Sequence, residues 1–158
     1  MNKRSLLGFS LLELMVVLAI AGILVSVAYP AYTSHMMTAR RADAAAALSG
    51  FSNAMVRYAT NNFSSYCDAG GAGGANSCGA AGTNDTGTPS IFPGTVPLDG
   101  GAAYYNLTIQ GVTAVTYSLR ATPIGIQAGD VCGALEITHL GRKVVIGAAG
   151  MTWDLCWR

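Results

Sequence analysis

Residues 9–29, FSLLELMVVLAIAGILVSVAY, constrain this chain more than any other stretch. Only Ser10, Glu13 and Ser26 are clearly polar there, and no Asp, Glu, Lys or Arg lies between Glu13 and Arg40. As a helix the stretch rises about 30 Å, enough to cross the hydrocarbon core of a bilayer. Lys3 and Arg4 precede it, which favours an N-terminus held in the cytoplasm. Glu13 is the anomaly, since a carboxylate at the centre of a membrane helix costs about 2.5–3.5 kcal/mol. A secretory signal peptide cut near Ser26-Val27-Ala28 is the simplest alternative. Glu13 inside its apolar region argues against that reading, as does a helical pattern that runs on past Ala28. A plain membrane anchor leaves Glu13 unexplained.

Gly22 and Pro30 are expected to interrupt the helix, because proline removes a backbone donor and crowds the turn before it. After Tyr32 the pattern turns amphipathic. Arg41, Ala44, Leu48, Phe51, Met55 and Tyr58 follow helical steps, apolar from Ala44 onward, while Arg40, Asp43, Ser49, Asn53 and Arg57 occupy the other face. ATNNFSSY then ends the helix. The reading divides the chain into a leader (1–8), a membrane-spanning helix (9–30), an amphipathic helix (31–60), a glycine-rich loop region (61–102) and a sheet with a cysteine-closed tail (103–158). DAGGAGGANSCGAAGTNDTGTP is nearly of low complexity, and without a staple it is expected to be disordered. Alternation puts Tyr105, Leu107 and Ile109 on one strand face and Val115, Tyr117 and Leu119 on another, with a turn over Gly111–Thr113. GALEITHL and KVVIG form a second pair around Gly141-Arg142. Four antiparallel strands on the amphipathic helix give an α+β fold.

The chain has 158 residues, 11% charged, with a net charge of +1. An average soluble domain is about 25% charged. From Ala59 onward Arg120, Arg142, Lys143 and Arg158 face Asp68, Asp85, Asp99, Asp130, Glu136 and Asp154, so this part carries no basic excess. Arg142, Lys143 and Arg158 are the candidate contacts if DNA is bound. Cys67, Cys78, Cys132 and Cys156 all follow the apolar stretch, which suggests disulfides in an oxidising compartment. Their spacing does not suit zinc, and Asp85 and Asp99 stand apart from the dense oxygen ligands that calcium needs. No cofactor and no metal are expected. His35 and His139 are far apart, the glycine clusters lack the context of a nucleotide site, and no catalytic constellation emerges. The chain reads as a non-enzyme.

A basic leader ending in Gly8, then Phe9, then Glu13 four residues on, then the apolar run, resembles the class III signal of type IV pilins. TVPLDGGAAYYNLTI, CGALEITHLGRK and the terminal DLCWR are similar to PilE-type minor pilins and the related ComP-type DNA-uptake pilins. The resemblance covers nearly the whole chain, except that the loop holding Cys67 and Cys78 looks like an insertion. It implies cleavage between Gly8 and Phe9 by a prepilin peptidase and methylation of the new Phe9 amine. It implies that Glu13 pairs with the terminal amine of a neighbouring subunit, which would remove much of the cost of a buried carboxylate. In related filaments the stretch between Gly22 and Pro30 can unwind.

The partners implied are other pilin subunits, the inner-membrane assembly machinery and the membrane. The precursor would sit in a bacterial inner membrane and the product in a surface pilus, with the C-terminal domain periplasmic or extracellular. The expected function is structural: a minor pilin serving pilus assembly, twitching motility or adhesion. Alternatives are a ComP-like pilin that binds DNA for transformation and a type II secretion pseudopilin. Four cysteines allow three connectivities. Cys132–Cys156 resembles the family's closing disulfide and would contribute roughly 3 kcal/mol in the chain-entropy model. Cys67–Cys78 would staple the glycine-rich loop.

Overall fold

The computed structural model describes residues 9–71, 73–79 and 84–157. Helix α1 spans Leu11–Asn61. Strands follow as β1 (Thr95–Val96), β2 (Tyr105–Val112), β3 (Tyr117–Pro123), β4 (Ala134–Thr138) and β5 (Lys143–Ile146), with a short helix α2 (Trp153–Cys156) after them. The chain divides into two compact units between Met36 and Met37.

In the first unit every side chain from Phe9 to Tyr32 is exposed. A helix apolar on all sides satisfies its own backbone but has no core of its own, so its stable surroundings are lipid or other apolar helices. This helix is long and apolar enough to cross a membrane. It runs without a break through Gly22 and Pro30, which corrects the expected interruption. Proline withdraws one donor and crowds one turn, which weakens or bends a helix without having to end it. Around it, Ser26 Oγ donates to Ile23 O at 2.7 Å and Thr33 Oγ1 to Pro30 O at 2.9 Å.

In the second unit the predicted stripe is the buried face of the helix. Ala44, Leu48, Phe51 and Met55 pack against Tyr105, Leu107, Ile109, Leu119 and Leu135 of the sheet. Each large side chain buried this way contributes about 1.5–3 kcal/mol. Phe63 and Ser64 take positive φ, and Ser64 N–H returns to Ala59 O at 2.9 Å, which closes the helix. The sheet is an antiparallel meander in the order β1-β2-β3-β4-β5.

The sheet has five strands, not four. The additional strand, β1, is only two residues long and pairs Thr95 with Asn106 and Val96 with Tyr105. The β2–β3 turn also differs from expectation. A register shift between Ile109 and Gly111 lets β2 continue to Val112, and the turn falls over Thr113–Thr116. Val115 is therefore 71% exposed in the turn, while Tyr117 and Leu119 are buried as their alternation requires.

Candidate functional site

Among the described residues, three places are candidates for function: the apolar helix, the glycine-rich loop and the end of the sheet beside the β4–β5 turn. Glu13 lies in the first turn of α1, one turn from Phe9, with exposed apolar side chains around it. Gly8 lies outside the described residues, so the cleavage point carries no geometry here.

The glycine-rich loop is ordered by two devices. Cys67 and Cys78 are joined in a disulfide with their Cα atoms 6.0 Å apart. Asp85, fully buried, accepts hydrogen bonds from the backbone N–H groups of Asp68 at 2.7 Å and of Ser77 and Cys78 at 2.6 Å. Burial alone would raise the Asp85 carboxyl, but these N–H donors outweigh it and hold the group below its ordinary value. The glycines serve close approach: a Cβ on Gly74 would lie 1.9 Å from Thr86 O, and one on Gly70 2.3 Å from the same atom. Gly87 N–H and O bond to Ile109 O and N–H at 2.9 and 2.8 Å, which fastens the loop to β2. Composition alone pointed to disorder and missed this role. Asp85 spends both oxygens on N–H donors, so it is an internal acceptor.

This loop, the β2–β3 turn and the β4–β5 turn enclose a groove of about 760 Å³. Ser77, Thr86, Thr113, Thr116, His139 and Arg142 are among the residues that line it, four of them bearing hydroxyls. His139 follows β4 in a turn, its ring edge-on to Tyr117 with centroids 6.2 Å apart. The hydroxyl-bearing residues were not singled out from sequence, because Ser and Thr in loops carry no distinguishing pattern.

Arg142 and Lys143 are exposed. Cys132 and Cys156 are joined in the second disulfide, and the tail reaches the last hairpin, where Trp157 Nε1–H donates to Val144 O at 3.2 Å. Lys143 Nζ sits 5.2 Å from the centre of the Trp157 ring. Arg158 lies outside the described residues. Arg120 bonds to Glu136, its cross-strand partner, at 2.7 Å and is not a free cation.

Arg41, on the buried stripe, has a reason that only tertiary structure supplies. Its guanidinium makes a two-pronged pair with Asp130, at 3.0 and 2.5 Å. Asp130 also accepts from Tyr105 Oη at 2.9 Å, Gln127 Nε2 at 2.9 Å and Cys132 N–H at 3.1 Å. Burial pushes Asp130 upward, and these donors, Arg41 foremost, bring it below the usual value. Burial and the Asp130 charge raise the Tyr105 phenol. Among the described residues, the concavities beside the β4–β5 turn, the β1–β2 connection and the glycine-rich loop are not lined by any member of this network.

Two family models match the sequence. One, described as type IV minor pilin ComP, DNA uptake sequence receptor, covers residues 30–136, more than half of the chain. The chain belongs to this type IV minor pilin family. The other model, the prokaryotic N-terminal methylation motif, covers residues 4–29. No curated protein matches the chain. As a type IV minor pilin it is a structural subunit of a pilus, and its long helix packed on an antiparallel sheet is the fold of that family. The ComP match runs through the glycine-rich loop and ends in β4, so Arg142, Lys143 and Cys156 lie beyond it.

Proposed function

We propose that this minor pilin is trimmed between Gly8 and Phe9, methylated on Phe9 and inserted into the pilus through its N-terminal helix, with Glu13 as the docking group. The observation that carries the reading is the helix itself. From Phe9 to Tyr32 it exposes every apolar side chain and offers one carboxylate. Such a surface is stable in lipid or against like helices. A neighbour's terminal amine beside Glu13 would offset the cost of burying the charge. The bilayer and the pilus would thus be successive solvents for one helix. Partners would be pilin subunits and the assembly machinery, and the residues give no reason to assign an enzymatic role.

The test is the intact mass of the chain in the filament fraction sheared from cells, with Glu13→Gln beside it. A mass beginning at methylated Phe9 and free of thiols is expected, and Glu13→Gln should remain in the membrane. Equal recovery of the variant in sheared filaments would sink the docking role.

A second reading, capture of DNA, is favoured by the family description and by the groove whose rim carries Arg142. Against it stand the acidic balance after Ala59 and the engagement of Arg120 by Glu136. Phosphate contacts dominate such affinity, so charge reversal at Arg142 and Lys143 should weaken binding at near-physiological salt regardless of sequence. Retention of full affinity in that variant would place any DNA contact elsewhere.

A further inference from the structure

The sheet carries charge of opposite sign at two diagonal corners. The connection from β1 to β2 leaves the sheet at its β1 edge, at the end where β2 begins. The β4–β5 turn lies by the other edge, at the end where β3 begins. Four strand spacings, roughly 19 Å, separate the edges. The first corner projects Leu98, 48% exposed, beside Asp99, with Asp43 across a concave surface from them. Among the described residues, Asp43 accepts the Tyr104 hydroxyl, at 2.7 Å, and neither Asp43 nor Asp99 forms an ion pair. Arg40 stacks 5.6 Å from the centre of the Tyr104 ring, so two carboxylates here stand against one cation. The second corner is a concavity of about 470 Å³ lined by Arg142, Lys143 and Trp153. Trp153 is 56% exposed with the exposed Asp154 next to it in α2, and neither cation has a carboxylate partner among the described residues, so two cations here stand beside one carboxylate.

We propose that the acidic corner of one copy docks in the basic corner of a second copy, Leu98 against Trp153 and Asp99 against Arg142 and Lys143. Each corner is an apolar side chain flanked by charge, and the charges are complementary. One chain cannot close the contact on itself, because the corners lie at opposite edges and opposite ends of a rigid sheet. Two different patches make the contact heterologous, so repetition gives an open assembly. The diagonal placement means that each added copy is displaced along the strands as well as across them. This inference rests on the pilus reading for its setting, though its test does not.

The test uses the full chain purified in detergent, with a photo-crosslinking amino acid at Leu98. A species of twice the monomer mass is expected, with the crosslink mapped to the segment carrying Trp153. Arg142→Glu with Lys143→Glu should lower the yield about tenfold or more, and adding Asp43→Lys with Asp99→Lys should restore it. High salt should also lower it. Four results would overturn the proposal: no crosslink, one that survives charge reversal, one joining Leu98 to Leu98, or one that the charge swap does not restore. Absence of the chain from sheared filaments would break the pilus reading and leave this measurement standing, so the two failures are distinguishable.

Discussion

Asp85 in the glycine-rich loop and Asp130 beneath the helix are both buried carboxylates, and they are stabilised in opposite ways. Asp130 meets a full positive charge in Arg41 and adds neutral donors around it. Asp85 meets no cation among the described residues and is held by three backbone N–H groups. A charge opposite a charge ties two elements far apart in sequence, here α1 and the segment before β4. A charge opposite backbone dipoles fixes the path of the chain around it. The first device suits a core and the second a loop too short of apolar residues to pack.

The comparison breaks most sharply at Asp130. Asp130→Asn should cost about 3–5 kcal/mol, since it strands the buried Arg41 guanidinium. Thermal unfolding of the full chain in detergent reads the loss. The double variant Arg41→Met with Asp130→Asn should recover much of it, because the buried charge is gone while the amide oxygen still accepts from the Tyr105 and Gln127 donors. A double variant no more stable than Asp130→Asn would show that the pair itself holds α1 on the sheet.

The loop should respond less. Cys67→Ser with Cys78→Ser removes a link spanning 11 positions and should cost roughly 2–3 kcal/mol. Asp85→Asn should cost about 1–3 kcal/mol by setting an amide donor against N–H groups. Both devices grip Cys78, one through its sulfur and one through its N–H. The combined variant should therefore lose less than the two losses added, by a coupling of about 0.5 kcal/mol or more. Strict additivity in denaturant unfolding would mean that the disulfide and the carboxylate order separate parts of the loop.

The two regions also differ in what the sequence reveals. The stripe from Ala44 to Met55 and the alternation over Tyr105, Leu107 and Ile109 are periodic, and periodicity is the trace that burial leaves in a chain. The helix, the main hairpins and the α+β class were legible for that reason, and so was the N-terminal motif. Strand β1 was not, since two residues cannot alternate. Val115 was misplaced because the shift near Gly111 moves the turn without altering composition. Asp130 and Gln127 left no trace, because Arg41 and Asp130 stand 89 positions apart and no local pattern links them. Asp85 stands alone as an acid in the sequence, in a loop expected to be disordered only without a staple. Its role depends on three N–H groups, and sequence does not say where backbone points.

The smallest effect, and the one that sharpens the contrast, is acid sensitivity. Both carboxylates lie below the ordinary value of 3.8 in the folded chain. A depressed carboxyl contributes stability that is complete above its unfolded pKa and is lost as pH falls through its folded pKa. Stability should thus be level from neutral pH to about 5 and fall below about 4. Asp85→Asn should lower the steepness of that fall by at most one proton, and Asp130→Asn should do the same from a less stable baseline. Their surroundings separate them. The Asp130 environment comprises the Arg41 charge together with Tyr105, Gln127 and the Cys132 N–H, all buried, so ionic strength should leave its part of the acid limb unchanged. Asp85 is held by N–H groups of its own loop, with the Tyr58 phenol of α1 near enough to feel its charge. As that loop loosens in acid, solvent reaches the carboxyl, and the Asp85 part should come to depend on whether Cys67–Cys78 is intact. An acid limb with the same shape in the disulfide-free variant would mean that three N–H groups alone hold the Asp85 charge.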